Sequence, residues 1–183
     1  MNEREKWLVE SVREGKANAF EPLILPYRQA LLALALRLSG NIEDAKEICQ
    51  EALMRAYKYL HAYDLEKSFK NWLFGILMNA ARQHGRKARP GGASLLSSLS
   101  AEDERRLRAG DDTERDHLRG AFKSKILECL AGLSRREREV FLLRDIEERS
   151  IRETAEILQS SSASVRVHLS SARRKINPLE SPG

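Results

Sequence analysis

The chain has 183 residues, 42% hydrophobic and 32% charged, with 10 Gly and 5 Pro, which is typical of one or two small folded units and excludes a collagen-like or disordered polymer. The longest apolar run, Ala30 to Leu36, ends at Arg37 and is much shorter than the roughly 20 residues of a membrane span, so we expect no transmembrane role. The formal net charge of +5 is compatible with a nucleic-acid partner but is weak evidence for one.

The N-terminus and the cysteines exclude several further classes of protein. Met-Asn-Glu-Arg-Glu-Lys carries charges with no apolar stretch behind it, so we expect no secretory signal and a cytoplasmic location. Cys49 and Cys129 stand far apart without a neighbouring Cys, so neither a disulfide framework nor a zinc site is predicted. Both are interpreted as small core side chains. We therefore expect no metal and no cofactor.

Apolar residues of the N-terminal half recur at spacings of three and four, which predicts helices. Four helices are predicted, at about residues 3–14, 18–38, 41–61 and 68–83. Gly15 follows the first, Pro26 bends or interrupts the second, and Asn41 is placed to cap the third. The apolar stripe of the third helix is Ala45, Ile48, Cys49, Ala52, Leu53, Ala56, Tyr57 and Leu60.

The helical pattern fails after Pro90 and returns near residue 121. Pro-Gly-Gly, a Ser-rich stretch and a mixed-charge stretch predict a linker over 90–120. Helices follow at about residues 121–131, 135–145, 151–158 and 163–176, and two of them begin at capping boxes, Ser134 with Glu137 and Ser150 with Glu153. The sequence thus predicts an all-α fold with two small helical domains, residues 1–89 and 121–183, joined by a flexible linker.

Positive charge is concentrated at the ends of the two predicted domains. Residues 1–89 carry 15 Lys and Arg against 11 Asp and Glu, the linker carries 5 against 7, and residues 121–183 carry 12 against 9. The clusters are Arg82, Arg86, Lys87 and Arg89, and Arg166, Arg173, Arg174 and Lys175. Clustering of this kind indicates a nucleic-acid partner more strongly than the total charge does.

The last two predicted helices match a helix-turn-helix unit, whose second helix enters the major groove of DNA. Six residues have core-facing spacings: Ala155, Ile157, Leu158, Val165, Leu169 and Ala172. The outer set is polar and cationic and comprises Ser162, Ser164, Arg166, Val167, His168, Ser170, Ser171, Arg173 and Arg174. Arg can bond a guanine edge, and a helix N-terminus can bind a phosphate. The alternative is a solvated basic face, against which the absence of acidic residues on this helix argues.

A second candidate site lies on the fourth predicted helix. Aromatic residues, Phe69, Trp72 and Phe74, precede the cationic cluster that begins at Arg82. Aromatic rings can stack on single-stranded bases while cations follow the phosphates. Aromatic residues at this helical spacing are more often core residues, and composition does not decide between the two.

These motifs form a recognisable set when they are taken in order. They are Asp44-Ala-Lys-Glu-Ile-Cys-Gln-Glu-Ala-Leu-Met-Arg-Ala56, Phe69-Lys-Asn-Trp-Leu with Ile76 and Asn79, Leu133-Ser-Arg-Arg-Glu-Arg-Glu-Val-Phe-Leu-Leu-Arg144, and residues 151–176. The set resembles the extracytoplasmic-function sigma factors of bacterial RNA polymerase, in the sigma-70 family. The resemblance covers about residues 18–89 and 121–177. It implies a region 2-like domain, then a region 4-like domain, with no region 3 domain between them.

The resemblance implies a promoter-specificity subunit that is not an enzyme. Its partners would be promoter DNA and core RNA polymerase, through the β′ clamp helices and the β flap. The residues implied for polymerase binding are Glu47, Gln50, Glu51 and Arg55. Those implied for the minus 10 element are Ser68, Phe69, Trp72, Asn79, Arg82, Arg86 and Lys87. Those implied for the minus 35 element are Ser162, Ser164, Arg166, Val167, His168, Ser171, Arg173 and Arg174.

Several positions depart from the pattern of that family. Gln159 stands where Gly is usual, which predicts strain or a different turn. Gly75 stands where Arg is frequent, and Lys46 where Glu is frequent. His168 and Ser171 replace residues that are commonly basic. The minus 35 sequence preference is therefore not carried over.

The two DNA elements also set a distance that the chain must span. About 25 base pairs correspond to roughly 85 Å, and a linker of about 30 residues reaches at most roughly 100 Å. We therefore expect polymerase to hold the linker extended, with Leu95, Leu96 and Leu99 as anchors. Without polymerase, an anti-sigma factor could clamp both domains together, and membrane contact would come only through such a partner.

Two other functions remain open at this point. An ordinary helix-turn-helix regulator would bind operator DNA alone as a dimer, with half-sites one helical turn apart. A sigma-like decoy would bind an anti-sigma factor and would have lost its cationic reading face. An enzyme is not indicated, because the four histidines, His61, His84, His117 and His168, accompany no nucleophile motif, metal spacing or phosphate loop.

Overall fold

A computed structural model describes residues 3–88, 130 and 132–176, and every regular element in those residues is helical, which confirms the predicted all-α class. The α-helices are α1 (Glu3–Arg13), α2 (Phe20–Ile24), α3 (Arg28–Ser39), α4 (Ile42–Tyr59), α5 (Phe69–Ala88), α6 (Arg135–Phe141), α7 (Ile151–Ile157) and α8 (Ser162–Ile176). Shorter 3₁₀ turns cover Ala17–Ala19, Leu25–Tyr27 and Leu60–Ala62, and a π-helical turn covers Leu142–Ile146. The predicted linker lies outside the described residues, as does nearly all of the helix predicted at about 121–131.

The helix boundaries of the N-terminal unit follow from local chemistry. Gly15 and Gly40 have φ of +93° and +89°, which an L side chain rarely adopts, and they follow α1 and α3. The Asn41 side chain accepts a hydrogen bond from the Asp44 amide at 2.8 Å, so the predicted cap of α4 is confirmed. Pro26 lies in the 3₁₀ turn between α2 and α3, where the interruption was predicted.

The core of this unit lies between α3, α4 and α5, which pack against one another. α4 presents small residues to its neighbours, Ala45, Ala52 and Ala56, each fully buried, so the helices approach closely. The prediction that Tyr57 belongs to the buried apolar stripe of α4 is wrong, because this residue is 47% exposed. Cys49, Leu53 and Tyr57 form an i, i+4, i+8 row at the edge of the stripe, and this row turns toward solvent along the helix.

Capping boxes and one left-handed turn shape the C-terminal unit. Both predicted capping boxes are present, at Ser134 before α6 and at Ser150 before α7. Gln159 has φ of +50°, and a Schellman motif ends α7 there, with the Ser160 amide donating to the Ala155 carbonyl at 2.8 Å. The strain predicted for a residue that replaces Gly is therefore found. All six predicted core residues of the helix-turn-helix unit are buried.

The two units pack directly against each other, mainly through α5 and α7. Phe74 of α5 is completely buried, and the Arg149 guanidinium lies 5.9 Å from the centre of its ring. Gly75, one residue further on, faces the Ile157 carbonyl, and a Cβ at this position would lie 3.4 Å from that oxygen. Arg37 of α3 pairs with Glu147 at 3.5 Å. We call this packing of one unit on the other the closed arrangement.

Candidate nucleic-acid interface

The outward face of α8, which we define as Arg166, Val167, Ser170 and Arg174, is exposed to solvent along the helix. Val167 is 66% exposed, which is unusual for a large apolar residue. No ion pair joins Arg166 or Arg174 to a residue that the structure describes. Both arginines are thus available to an anionic ligand, as the sequence predicts.

The start of α8 is capped by Ser161, whose hydroxyl accepts a hydrogen bond from the Ser164 amide at 3.1 Å. The structure thereby places the cap one residue before the first helical residue, Ser162. Ser162, Ser164 and His168 are half-buried beside the outward face. The short side chains at this end leave the helix N-terminus open to a phosphate.

Two other predicted DNA-binding residues of α8, the half-buried Ser171 and the exposed Arg173, bond to side chains of their own unit. The Ser171 hydroxyl donates to Glu137 at 2.5 Å, and Lys175 donates to the same carboxylate at 2.7 Å. Arg173 makes two hydrogen bonds with Asp145, at 2.6 and 3.1 Å. These contacts join α8 to α6 and to the π-helical turn, so Ser171 and Arg173 already have protein partners in this arrangement.

Glu137 is the centre of this network. Burial of the carboxylate works against its ionisation, but hydrogen bonds from Lys175, Ser171 and Ser134 outweigh burial and lower the pKa of Glu137 to about 2. The carboxylate is therefore ionised at neutral pH. The same carboxylate completes the capping box of α6 and accepts hydrogen bonds from two side chains of α8.

The aromatic residues of the second candidate site form one cluster. Trp72 packs on Tyr63 and Phe69, with ring centres 4.9 and 5.6 Å apart, and Tyr27 lies 5.7 Å from Phe69. Phe69 is only 1% exposed, so the structure places it in the core and not on a DNA-facing surface. Trp72, in contrast, is only half-buried.

The loop before α5 is held by hydrogen bonds to its backbone. Arg13 of α1 donates to the Leu60 carbonyl at 3.1 Å and also to the Tyr63 carbonyl. The Tyr63 hydroxyl donates to the Lys67 carbonyl at 2.5 Å, and burial, followed by the nearby Glu5 charge, raises the pKa of Tyr63 to about 12. Ser68 accepts a hydrogen bond from the Asn71 amide at 3.3 Å and so caps α5. The loop is therefore shaped before any ligand binds.

The cationic end of α5 is partly covered by the other unit. Arg82 donates to both carboxylate oxygens of Glu139, at 2.9 and 2.8 Å, and to Asn79 at 3.2 Å. The side chains of Arg82 and Glu139 are 15% and 2% exposed. Arg86 is exposed, whereas the Lys87 side chain lies outside the described residues. Sequence reasoning missed Glu139, whose only local signal is that cations stand three and four residues before it.

The polar edge of α4, which we define as Glu47, Gln50, Glu51 and Arg55, is the third candidate surface. The first three side chains are exposed, and Arg55 donates to Glu51 at 2.6 Å and to Gln83 of α5 at 2.5 Å. The structure thus brings the four predicted polymerase-binding residues onto one continuous surface.

An apolar groove adjoins this edge and was not predicted. It has a volume of about 1130 Å³, lies between α2, α3 and α4, and is lined by residues that include Leu32, Leu53 and Tyr57. Met54, 61% exposed, stands at its border. Cys49 also lines it, and burial raises the pKa of this thiol to about 11, so the thiol is unreactive at neutral pH.

Within residues 3–88, 130 and 132–176, no three or more His, Cys, Asp or Glu side chains are grouped so that they could hold a metal ion. Over the same part of the chain, no helix combines the length and the apolar character that crossing a membrane requires.

Comparison with known proteins gives consistent matches to both units. The family model for Sigma-70 region 2 matches residues 23–90, and the family model for Sigma-70, region 4, matches residues 123–176. The chain is 27% identical to the RNA polymerase sigma-H factor of Pseudomonas aeruginosa, over 98% of this chain and 95% of that protein. It is 26% identical to the ECF RNA polymerase sigma factor SigW of Bacillus subtilis, over 92% of both.

Two solved structures have a similar fold. One is CnrH in complex with the cytosolic domain of CnrY, with a TM-score of 0.68, 22% identity and 97% of both chains covered. The other is the sigma factor RpoE in complex with the anti-sigma factor NepR from Bartonella quintana, with a TM-score of 0.64 and 24% identity, over 87% of this chain and 95% of that one.

Proposed function

Since this chain belongs to the extracytoplasmic-function group of the sigma-70 family, we propose that it binds core polymerase through α4, the minus 10 element through α5 and the minus 35 element through α8. It directs RNA polymerase to promoters, and it does so by binding and not by catalysis. Since polymerase and chromosome share the cytoplasm in bacteria, we place the protein there.

The polar edge of α4 suits a helical protein partner. Its exposed carboxylates and amide lie beside the apolar groove. A docking helix would therefore meet hydrogen-bonding groups next to an apolar surface, as in other helix-in-groove complexes. Arg55 is held by Glu51 and Gln83, which fixes its side chain before binding. We assign this surface to the β′ clamp helices.

The loop at residues 60–68 and the start of α5 suit the capture of unstacked bases. A base that leaves the duplex costs a few kcal/mol, and stacking on an aromatic ring returns roughly 1–3 kcal/mol. Trp72 is half-buried, and Tyr63 and Phe69 pack against its ring and support it. Asn79, Arg82, Arg86 and Lys87 follow along α5 and would bind the adjoining strand. Melting would therefore draw on binding energy and not on nucleotide hydrolysis.

The outward face of α8 carries the proposal, because two arginines lie exposed on the second helix of a helix-turn-helix unit with no ion pair to a described residue. This is the arrangement that major-groove reading requires. Since two similar folds were solved in complexes, one with an anti-sigma factor by name, we also assign an anti-sigma factor as a partner.

The test is transcription in vitro with bacterial core RNA polymerase on a promoter library. We expect the wild-type chain to bind core polymerase and to select promoters that share a two-part motif. Arg166→Ala should relax selection of the upstream part only. Arg4→Ala, which removes the same charge from an exposed position of α1, serves as the control and should leave selection unchanged.

Two outcomes would contradict the proposal. Duplex binding by the chain alone, without core binding, would make it a conventional regulator. Absence of both activities would make it a decoy.

A further inference from the structure

Val167 lies on the side of α8 that is furthest from the core of its unit. The buried side of this helix consists of Val165, Leu169 and Ala172. At about 100° of rotation per residue, the direction opposite that side falls between Val167 and Arg174. Both residues are exposed, as are Ala163 and Ser170, which belong to the same row of the helix at spacings of three and four. Val167 therefore projects directly away from the protein.

Packing within the described residues does not account for a valine at this position. Its side chain is 66% exposed. Valine is also a poorer helix former than alanine or arginine, because its branched Cβ restricts the side chain. Two exposed arginines of the outward face, Arg166 and Arg174, lie on either side of it in the sequence. A ligand that suits this face therefore combines negative charge with an apolar group between the charges.

The major groove of DNA offers such an apolar group in the C5-methyl of thymine. The polar groups of the base edges there are hydrogen-bond donors and acceptors. The Val167 side chain has no polar atom, so it can pair with none of them. A base amine or carbonyl pressed against it would lose water without gaining a hydrogen bond, which is unfavourable. The valine therefore favours thymine at the base pair that it contacts.

The row of exposed residues limits this contact to one place. Residues three or four apart on a helix lie about 5–6 Å from each other, whereas successive base pairs are roughly 3.4 Å apart. Neighbouring residues of the row thus meet different base pairs. Ala163 is small and Ser170 is polar, so Val167 is the large apolar side chain of the row. One thymine methyl group is the expected contact.

We propose that Val167 reads the C5-methyl group of one thymine in the upstream promoter element and so sets the base preference there, which rests on the minus 35 role given to α8 in the proposed function. The thymine can stand on either strand. Arg166 and Arg174 supply hydrogen bonds to base edges and phosphates. Val167 discriminates by van der Waals contact and by excluding water from the methyl group.

The test compares bases that differ only by this methyl group. The upstream element is selected by transcription with core polymerase and, separately, by binding of the full-length chain alone to random duplexes. Each thymine is then replaced, one at a time, by deoxyuridine, which keeps the hydrogen-bonding groups of thymine and lacks the methyl group. We expect the affinity of the wild-type protein to fall about fourfold at one thymine, the scale of one buried methyl group, and to stay unchanged at the others.

Two variants assign the loss to one side chain. Val167→Ala should bind the thymine and deoxyuridine duplexes equally, so that the two changes are not additive. Alanine is a better helix former than valine, so α8 stays folded. Ser170→Ala, the matched control, truncates the next residue of the row and should keep the fourfold loss.

A third base returns the methyl group to a different base pair. Cytosine at the same position should weaken binding by the wild-type protein, and 5-methylcytosine should recover part of that loss. Val167→Ala should not distinguish cytosine from 5-methylcytosine. An upstream element without thymine on either strand would overturn the proposal. Unchanged affinity at every deoxyuridine would also overturn it, as would a fourfold loss that persists in Val167→Ala.

Failure of the proposed function gives a different result. Selective transcription with core polymerase, combined with no effect of the methyl group, leaves the proposed function in place and overturns the role of Val167. Selective duplex binding by the chain alone, without core binding, overturns the proposed function but leaves the role of Val167 in place if the deoxyuridine loss depends on this residue. No selected element in either assay overturns both.

Discussion

The outward face of α8 and the cationic end of α5 carry similar polar and cationic side chains but have different surroundings. Arg166 and Arg174 are exposed on α8, whereas Arg82 of α5 is 15% exposed and bonded to Glu139. A search for cations in the sequence treats these surfaces alike. The structure separates them, because one ends a helix-turn-helix unit at the surface and the other lies between two units. The surface proposed to read duplex DNA is thus exposed in this structure, whereas the surface proposed to bind the single strand is partly covered.

The largest effect on stability is expected from replacing Phe69, and this variant tests whether Phe69 belongs to the core or to a DNA-binding surface. Phe69→Ala should destabilise the chain by about 3–5 kcal/mol, the range for a buried aromatic residue. Urea unfolding measures this directly. Val167→Ala, on the outward face of α8, should change the unfolding free energy little. Comparable stability losses for the two variants would remove the contrast between the surfaces.

A smaller effect is expected from Arg166 on duplex DNA. Arg166→Ala should weaken binding of the free chain to its upstream promoter element by about 1–3 kcal/mol, or roughly 5–150-fold, without loss of stability. Fluorescence anisotropy with a duplex of the selected element measures the affinity. Arg82→Ala should leave this duplex affinity unchanged, since Arg82 belongs to the cationic end of α5. If duplex affinity falls equally in both variants, the two surfaces do not act separately.

A third effect concerns pH and the support of α8. The pKa of Glu137 is lowered from 4.5 to about 2 in the folded chain, so its contribution to stability is present above about pH 4.5 and is lost as the pH falls toward 2. In urea unfolding, the free energy of unfolding of Glu137→Gln should therefore decrease less than that of the wild type as the pH falls from about 4.5 toward 2. Glu21→Gln should follow the wild type. A wild-type acid profile in Glu137→Gln would show that this network does not hold α8.

Local features were predictable because their causes are close in sequence. The Asn41 cap, both capping boxes and the strained Gln159 turn each depend on residues within five positions of one another. The helical periodicity likewise identified the buried side of α8.

Features that depend on distant residues were not predictable. Arg82 and Glu139 stand 57 positions apart, and neither has a local pattern that identifies the other. Phe69 was placed at the DNA surface by resemblance, but it packs against the rings of Tyr27 and Tyr63 from two other segments and of Trp72 on its own helix. Tyr57 was assigned to the apolar stripe of α4, but it is 47% exposed. Helical periodicity identifies the residues at the centre of such a stripe better than those at its edge.

The Schellman turn at Gln159 also offers a means of protein engineering. A left-handed conformation costs a residue other than glycine roughly 1–2 kcal/mol, and the Gln159 side chain is exposed. We therefore expect Gln159→Gly to raise the thermostability of the helix-turn-helix unit without altering either arginine of the outward face. Stability and promoter selectivity are thus separately adjustable in this chain, which suits the construction of orthogonal transcription circuits.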